Sequence, residues 1–232
     1  MAITVMKRYE LKYLLNAAQT EYLRERLKGR MEVDQYGKTS IASLYYDTPT
    51  YKLIRTSLEK PAFKEKIRLR SYGIATEDSP VFLELKRKAY GIVYKRRIQT
   101  TIPLVHEFFS GEGDICSPGQ INKEITVFRD HYKTLVPTCM IIYDRTAYFE
   151  PGGDLRLTVD EDPRYRTDDL TLTRSMDGSP LLNGGWTILE VKVQQAMPLW
   201  LANILSEGKI SKCSFSKYGE AYRRQLVKAQ MT

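Results

Sequence analysis

The sequence predicts an α+β protein that is mainly β: a closed eight-stranded antiparallel β-barrel, with helices covering the outside and one further helix at the C-terminus. Three observations carry that expectation. Eight segments alternate apolar and polar residues with period 2, as antiparallel strands do. Eight strands are enough to close a barrel and remove its exposed edges. Amphipathic helical segments fall at the ends and in the long connections, where they can cover an apolar sheet face.

The first strand is expected over Thr4 to Leu15. Asn16 then reads as the N-cap of a helix with Ala17, Tyr22, Leu23 and Leu27 on one side, stopped by Gly29. Strands follow at Thr39 to Asp47, Lys64 to Tyr72, Pro80 to Lys88 and Ile92 to Ile102, the last two joined by Ala89-Tyr90-Gly91. A polar interlude with Gly111, Gly113, Pro118 and Gly119 leads to a helix near Gln120 to Lys133. Strands resume at Thr138 to Phe149 and Asp154 to Glu161, turned by Pro151-Gly152-Gly153. Asp162 to Gly185 is loop-rich, with a short hairpin expected around Asp177-Gly178. A strand at Trp186 to Gln194, a helix near Pro198 to Glu207 and a helix from Tyr218 to Ala229 complete the chain. The helix near Pro198 covers the barrel or touches a membrane or partner.

Composition narrows the classes. The 232 residues are 42% hydrophobic and 28% charged, a globular rather than disordered balance. Lys and Arg number 36 against 28 acidic residues, a net +8 that points to an anionic partner. No run approaches the 18 to 20 apolar residues of a membrane helix, so no membrane span is expected. Met1 to Tyr9 lacks the apolar centre of a signal peptide, which implies a cytoplasmic protein. Cys116, Cys139 and Cys213 are odd in number and widely spaced, and read as reduced structural cysteines. His106 and His131 stand alone, so neither zinc nor histidine catalysis is indicated.

The content of the alternation is more informative. Lys66-Ile67-Arg68-Leu69-Arg70 places three cations on one face, and Phe82-Leu83-Glu84-Leu85-Lys86 opposes Glu84 and Lys86 to two leucines. Arg156, Thr158 and Asp160 share a face, as do Glu190 with Lys192, and Glu10 with Lys12. Lys95 and Arg97 share one too, with Arg96 opposite. In a half-buried sheet the ordinary reading puts such charges in water. That reading leaves the amphipathic helices nothing to cover. The inverted arrangement uses every part: apolar faces outward beneath helices, charged faces lining a wet tunnel. Ten basic residues (Lys12, Arg68, Arg70, Lys86, Lys95, Arg97, Arg145, Arg156, Lys192, Lys217) then converge with Glu10, Glu84, Asp160 and Glu190. A row of phosphates would balance them, with the carboxylates holding a divalent metal against phosphate oxygens. A transmembrane barrel is excluded because Arg87 and Arg96 would face lipid.

Arg8-Tyr9-Glu10-Leu11-Lys12-Tyr13, Ser43-Leu44-Tyr45-Tyr46-Asp47-Thr48, Lys66-Ile67-Arg68-Leu69-Arg70 and Phe82-Leu83-Glu84-Leu85-Lys86 resemble the VTC domain. So do Tyr143-Asp144-Arg145, Leu155-Arg156-Leu157-Thr158-Val159-Asp160, Leu189-Glu190-Val191-Lys192 and Phe215-Ser216-Lys217-Tyr218. That domain is the polyphosphate-polymerase branch of the triphosphate tunnel metalloenzymes, and the resemblance runs in order along nearly the whole chain. It implies one domain over residues 1–232 that makes polyphosphate from a nucleoside triphosphate such as ATP. It also implies phosphate contacts from Lys12, Arg68, Arg70, Lys86, Lys95, Arg145, Arg156, Lys192, Ser216 and Lys217, and Mn²⁺ or Mg²⁺ on Glu190. The wider superfamily often opens with Glu-x-Glu-x-Lys. Here Arg8 takes the first Glu position, which favours a single-metal polymerase over a two-metal site.

The catalytic residues are then expected to be Arg68, Arg70, Lys86, Arg145 and Arg156. Lys12, Lys95, Arg97, Lys192, Ser216 and Lys217 bind phosphate, and Glu190 holds the metal with Glu84, Asp160 or Glu10. Two further readings use the same residues: an inorganic triphosphatase or nucleoside-triphosphate hydrolase, and a non-catalytic binder of polyphosphate or inositol phosphates. A nucleic-acid module is disfavoured, because basic residues confined to strand interiors do not reach a duplex.

Overall fold

The computed structural model of the chain describes residues 9–90, 92–115, 119–182 and 184–230, and the side chains of those residues up to 225. Arg8, Gly91, Cys116 and Pro118 lie outside the described residues. The strands are β1 Tyr9–Leu15, β2 Glu32–Asp47, β3 Phe63–Tyr72, β4 Val81–Ala89, β5 Ile92–Thr100, β6 Val136–Phe149, β7 Arg156–Arg166, β8 Ser179–Pro180, β9 Thr187–Val193 and β10 Lys212–Cys213. The helices are α1 Ala17–Leu27, α2 Lys52–Leu58, α3 Ile102–Ser110, α4 Gln120–Tyr132, α5 Leu199–Glu207 and α6 Lys217–Gln230. The result is mainly antiparallel β-sheet with helices.

The closed eight-stranded barrel is corrected. Among the described residues, nine strands follow the order β10-β1-β9-β7-β6-β2-β3-β4-β5, and a tenth, β8, pairs with β7 off that path. The order has two ends, β10 and β5, instead of closing on itself. Two-residue strands such as β8 and β10 carry no alternation from which to read them. The β5 end bears the run Lys95-Arg96-Arg97, the charged dressing that blunts an edge strand.

The chain divides into two compact units. Unit 1 comprises Met1–Ser40, Tyr143–Arg164 and Pro180–Ser216. Its sheet pairs Leu11, Tyr13 and Leu15 of β1 with Val191, Leu189 and Thr187 of β9. Leu15, Leu157, Val159, Leu189 and Val191 pack with Leu23 and Leu27 of α1 and with Leu201, Ile204 and Leu205 of α5. Burying each such side chain contributes about 1.5–3 kcal/mol. The start of α1 follows from its sequence. Asn16 accepts from the Gln19 amide at 2.9 Å, and the Gln19 side chain accepts from the Asn16 amide at 3.1 Å, a reciprocal capping box.

Unit 2 comprises Ile41–Ile142, Tyr165–Ser179 and Lys217–Thr232. Leu44 and Tyr46 of β2, Ile67 and Leu69 of β3, Leu83 and Leu85 of β4 and Ile98 of β5 form its core. They meet Ile102, Val105 and Phe108 of α3 and Ile125 and Phe128 of α4. The α3 helix falls where the sequence reads as a strand end and polar interlude. Its apolar residues recur every three positions, a proline opens it and Gly111 closes it at φ +83°. Arg87 and Arg96, on this helix-covered face, pair with Glu124 of α4 at 3.5 and 2.9 Å. Arg87 also meets Glu65 at 2.5 Å, and the Tyr132 hydroxyl donates to Glu65 at 3.1 Å.

In unit 1 helices α1 and α5, and in unit 2 helices α3 and α4, therefore lie on the apolar sheet face, and most of the charged residues take the other. Among the described residues, no helix is long and apolar enough to cross a membrane.

Candidate functional site

In unit 2 the strand register stacks the charged residues in rows. One row reads Tyr45, Arg68, Glu84, Arg97 across β2 to β5. Beside it lie Ser43, Arg70, Phe82 and Gln99, and on the other side Lys66, Lys86 and Lys95. Like charges directly opposite one another are unfavourable, so this face is poised for an anion.

Glu84 is the centre of the arrangement, with its side chain 1% exposed. Arg68 lies 2.8 Å from it, Lys95 2.6 Å, Arg97 3.5 Å and Arg70 3.8 Å. Burial alone pushes this carboxyl up, but Arg68, Arg70 and Lys95 together outweigh it and hold Glu84 well below the usual carboxylate range. Desolvation lowers the Lys95 ammonium, and despite Glu84 the neighbouring Arg68 and Arg70 help bring it to about 8. The Lys95 side chain stays 43% exposed, so water screens part of that effect.

Neighbours fix the cations further. Arg68 donates to the Tyr45 hydroxyl at 3.0 Å and Arg70 to Ser43 at 3.3 Å. Arg97 lies 3.6 Å from the Phe82 ring centroid and donates to the Tyr72 hydroxyl at 3.0 Å. Tyr45 stacks on Tyr218 of α6, with centroids 4.5 Å apart. Tyr218 donates to Asp47 at 3.0 Å, and its hydroxyl also lies 2.9 Å from that of Thr138. Lys217, which opens α6, thus begins a helix tied to the β2 end of this face.

In unit 1 the same face carries Glu10, Lys192 and Arg156 in one row of β1, β9 and β7, and Lys12, Glu190 and Thr158 in the next. Lys12, Arg145 and Lys192 lie 3.1, 3.6 and 3.7 Å from Glu190. Arg145 also grips buried Asp160 through two nitrogens, at 2.5 and 2.7 Å. Burial disfavours the Arg145 charge, but Asp160 and Glu190 raise it well above its ordinary value. Burial also lowers the Lys192 ammonium, Glu190 opposing and Arg145 reinforcing the shift. Arg156 turns to the β6–β7 turn instead, donating to the carbonyls of Gly153 at 3.1 Å and Leu155 at 2.8 Å. Ser216 ends this unit.

The expected site residues thus divide between the units. Arg68, Arg70, Lys86, Lys95, Arg97, Lys217 and Glu84 belong to unit 2. Lys12, Arg145, Arg156, Lys192, Ser216, Glu10, Asp160 and Glu190 belong to unit 1. On this face of β3 to β5, Lys64, Lys66, Arg68, Arg70, Lys86, Lys88, Lys95 and Arg97 give eight cations against Glu84, whereas the expected site residues of unit 1 set four against three acids. Sequence reasoning left out Lys66, Tyr45, Ser43 and Thr158. Lys66 was readable from its place in the Lys-x-Arg-x-Arg run; the hydroxyl partners were not.

Among the described residues, no three of His, Cys, Asp and Glu gather as a metal cage. Glu84 is ringed by cations, and Arg145 takes both oxygens of Asp160. The site around Glu190 fits a cation better. Directly across from it, the buried Thr158 hydroxyl has no hydrogen-bond partner among the described residues, whereas Glu84 Oε1, which accepts no well-directed hydrogen bond there either, already faces the Lys95 ammonium at 2.6 Å. Divalent ions that complete their shells with substrate phosphates need only one or two protein carboxylates.

The chain is mainly antiparallel β-sheet, with arginine and lysine clustered on the face opposite α1, α3, α4 and α5. The family model of the VTC domain matches residues 7–225, and the chain belongs to that family, part of the tunnel metalloenzymes, which implies a divalent cation. Solved structures share the fold. A candidate adenylate cyclase from Bacillus halodurans is 13% identical over 91% of this chain and 96% of its own, with a TM-score of 0.56. One from Vibrio parahaemolyticus is 13% identical, with coverage of 94% and 98% and a TM-score of 0.50. HpAC1 from Hippeastrum, a candidate adenylyl cyclase with a dominant triphosphatase activity, is 15% identical, with coverage of 92% and 93% and a TM-score of 0.50. No curated protein sequence matches the chain.

Proposed function

We propose that this chain, working as one domain over residues 1–232 in the cytoplasm, makes polyphosphate from ATP by metal-dependent phosphoryl transfer. One observation carries the reading: in each unit, cations crowd a buried carboxylate on the charged face of the sheet. Phosphoryl transfer needs positioning and charge neutralisation more than covalent help, and such a face supplies both.

In this reading Arg68 and Arg70 in unit 2, and Arg145 in unit 1, each hold phosphate oxygens through their planar forks, and Arg156 does so on leaving the Gly153 and Leu155 carbonyls. Lys12, Lys86, Lys95, Arg97, Lys192 and Lys217 neutralise the remaining charge, and Ser216 donates a hydrogen bond. Glu190 holds Mn²⁺ or Mg²⁺, with Asp160 and Glu10 behind it. The bound cation supplies Lewis-acid neutralisation of phosphate oxygens. A terminal oxygen of the growing chain attacks the γ-phosphorus, the bond to the β–γ bridging oxygen breaks, and ADP leaves.

Incubating the purified chain with ATP and Mn²⁺ tests this reading, with long polyphosphate as the expected product. Release of orthophosphate alone supports a hydrolase instead, which the triphosphatase activity of the Hippeastrum protein favours as the second reading. Tight binding of tripolyphosphate without turnover supports the binding protein.

A further inference from the structure

Glu84 differs from the other acidic residues of the site. The rows on either side of it contain no second carboxylate: Ser43, Arg70, Phe82 and Gln99 on one side, Lys66, Lys86 and Lys95 on the other. Eight cations on this face of β3 to β5 (Lys64, Lys66, Arg68, Arg70, Lys86, Lys88, Lys95 and Arg97) against one carboxylate leave it at +7, which repels a divalent ion and attracts a polyanion. Lys95 and Arg68 already lie 2.6 and 2.8 Å from the Glu84 oxygens, at charge-assisted hydrogen-bond distance. A metal would have to displace them from a side chain that is 1% exposed.

Building on the phosphate-binding reading, we propose that Glu84 is a resident counter-anion and no metal ligand: it holds Arg68, Arg70, Lys95 and Arg97 in place and competes with incoming phosphate for them. The carboxylate keeps four cations from scattering while no substrate is bound. Its charge also weakens the grip on phosphate, which lets product leave. Glu84 is thus a positioning residue, and the anion subsite of unit 2 works without divalent metal.

Calorimetry on the purified full chain tests this, with inorganic tripolyphosphate as probe in excess chelator. The wild type is expected to bind without metal. Glu84→Gln, which removes the competing charge, is expected to bind at least fivefold more tightly. Glu84→Asp keeps the charge on a shorter stem and gives an intermediate gain, and it serves where Glu84→Gln does not fold. Mn²⁺ titrated onto the tripolyphosphate complexes is expected to bind both variants within twofold of wild type, and Glu190→Gln at least tenfold more weakly. No gain in tripolyphosphate affinity in either Glu84 variant overturns the assignment, as does a tenfold loss of Mn²⁺ affinity in either. Wild-type binding that requires Mn²⁺ overturns it while sparing the phosphate reading; binding under neither condition removes both.

Discussion

Arg68 directs two nitrogens at one oxygen of Glu84: Nε at 2.9 Å and a terminal nitrogen at 2.8 Å, both to Oε2. Its third nitrogen donates to the Tyr45 hydroxyl at 3.0 Å. The register makes this possible, because Arg68 stands directly between Tyr45 on β2 and Glu84 on β4. A guanidinium held by two groups through three nitrogens has a fixed plane, so under the proposed function it would engage a phosphate with little orientation left to lose.

Arg68→Ala is therefore expected to weaken tripolyphosphate binding and ATP turnover at least tenfold, about 1.4 kcal/mol or more. Arg68→Lys should not restore either, since an ammonium cannot serve Glu84, Tyr45 and a phosphate in one plane. Calorimetry and a turnover assay on both variants check this; full activity in Arg68→Ala removes Arg68 from the site.

Lys95 sets a pH dependence with opposite signs for stability and binding. Its ammonium titrates at about 8 in the fold, against roughly 10.4 in an unfolded chain. Between those values the unfolded chain binds the additional proton, so this residue makes stability rise with pH across the window. Binding moves the other way, because deprotonating Lys95 removes a cation from beside Glu84, Arg68, Arg70 and Arg97. Tripolyphosphate affinity is expected to fall between pH 7 and 9, and to fall less in Lys95→Arg. An equal fall in that variant assigns the effect elsewhere.

Tyr218 ties α6 to β2. Its hydroxyl meets Asp47 and Thr138, while Asp47 also accepts from the backbone amides of Thr48, Leu53 and Ile54 and so caps α2 from a buried position. Burial pushes the Asp47 carboxyl up, and these donors pull it back. Tyr218→Phe removes one donor and keeps the ring on Tyr45, and is expected to cost about 1–3 kcal/mol in thermal unfolding. Asp47→Ala orphans the α2 amides as well and should cost more.

How far the sequence discloses this molecule depends on what alternation encodes. Period 2 placed Arg68, Arg70, Glu84, Lys86, Lys95 and Arg97 on one face, and the presence of amphipathic helices indicated that this face is the one left uncovered. In unit 2 Leu83 and Leu85 lie beneath α3 and α4, as that reading expects, while α6 reaches the charged face through Tyr218 on Tyr45. Alternation does not encode which strand neighbours which. The row Tyr45-Arg68-Glu84-Arg97 is a product of register, so the four cations that surround Glu84 do not follow from alternation alone. Nor does it encode closure, which depends on end strands such as β10, too short to leave a pattern. Arg156 shows a third limit. Its face follows from alternation, but its side chain turns to the carbonyls of Gly153 and Leu155, a choice made by the local turn.

Asp160 separates a structural clamp from a metal ligand in unit 1. It is fully buried, and Arg145 takes both its oxygens. Removing one partner of a buried pair leaves the other charge uncompensated, which costs about 3–5 kcal/mol. Asp160→Asn is expected to lower the denaturant midpoint accordingly while leaving the Mn²⁺ affinity of the tripolyphosphate complex within threefold of wild type. A tenfold loss of Mn²⁺ affinity with unchanged stability makes Asp160 a ligand in its own right, and Arg145 its keeper until metal arrives.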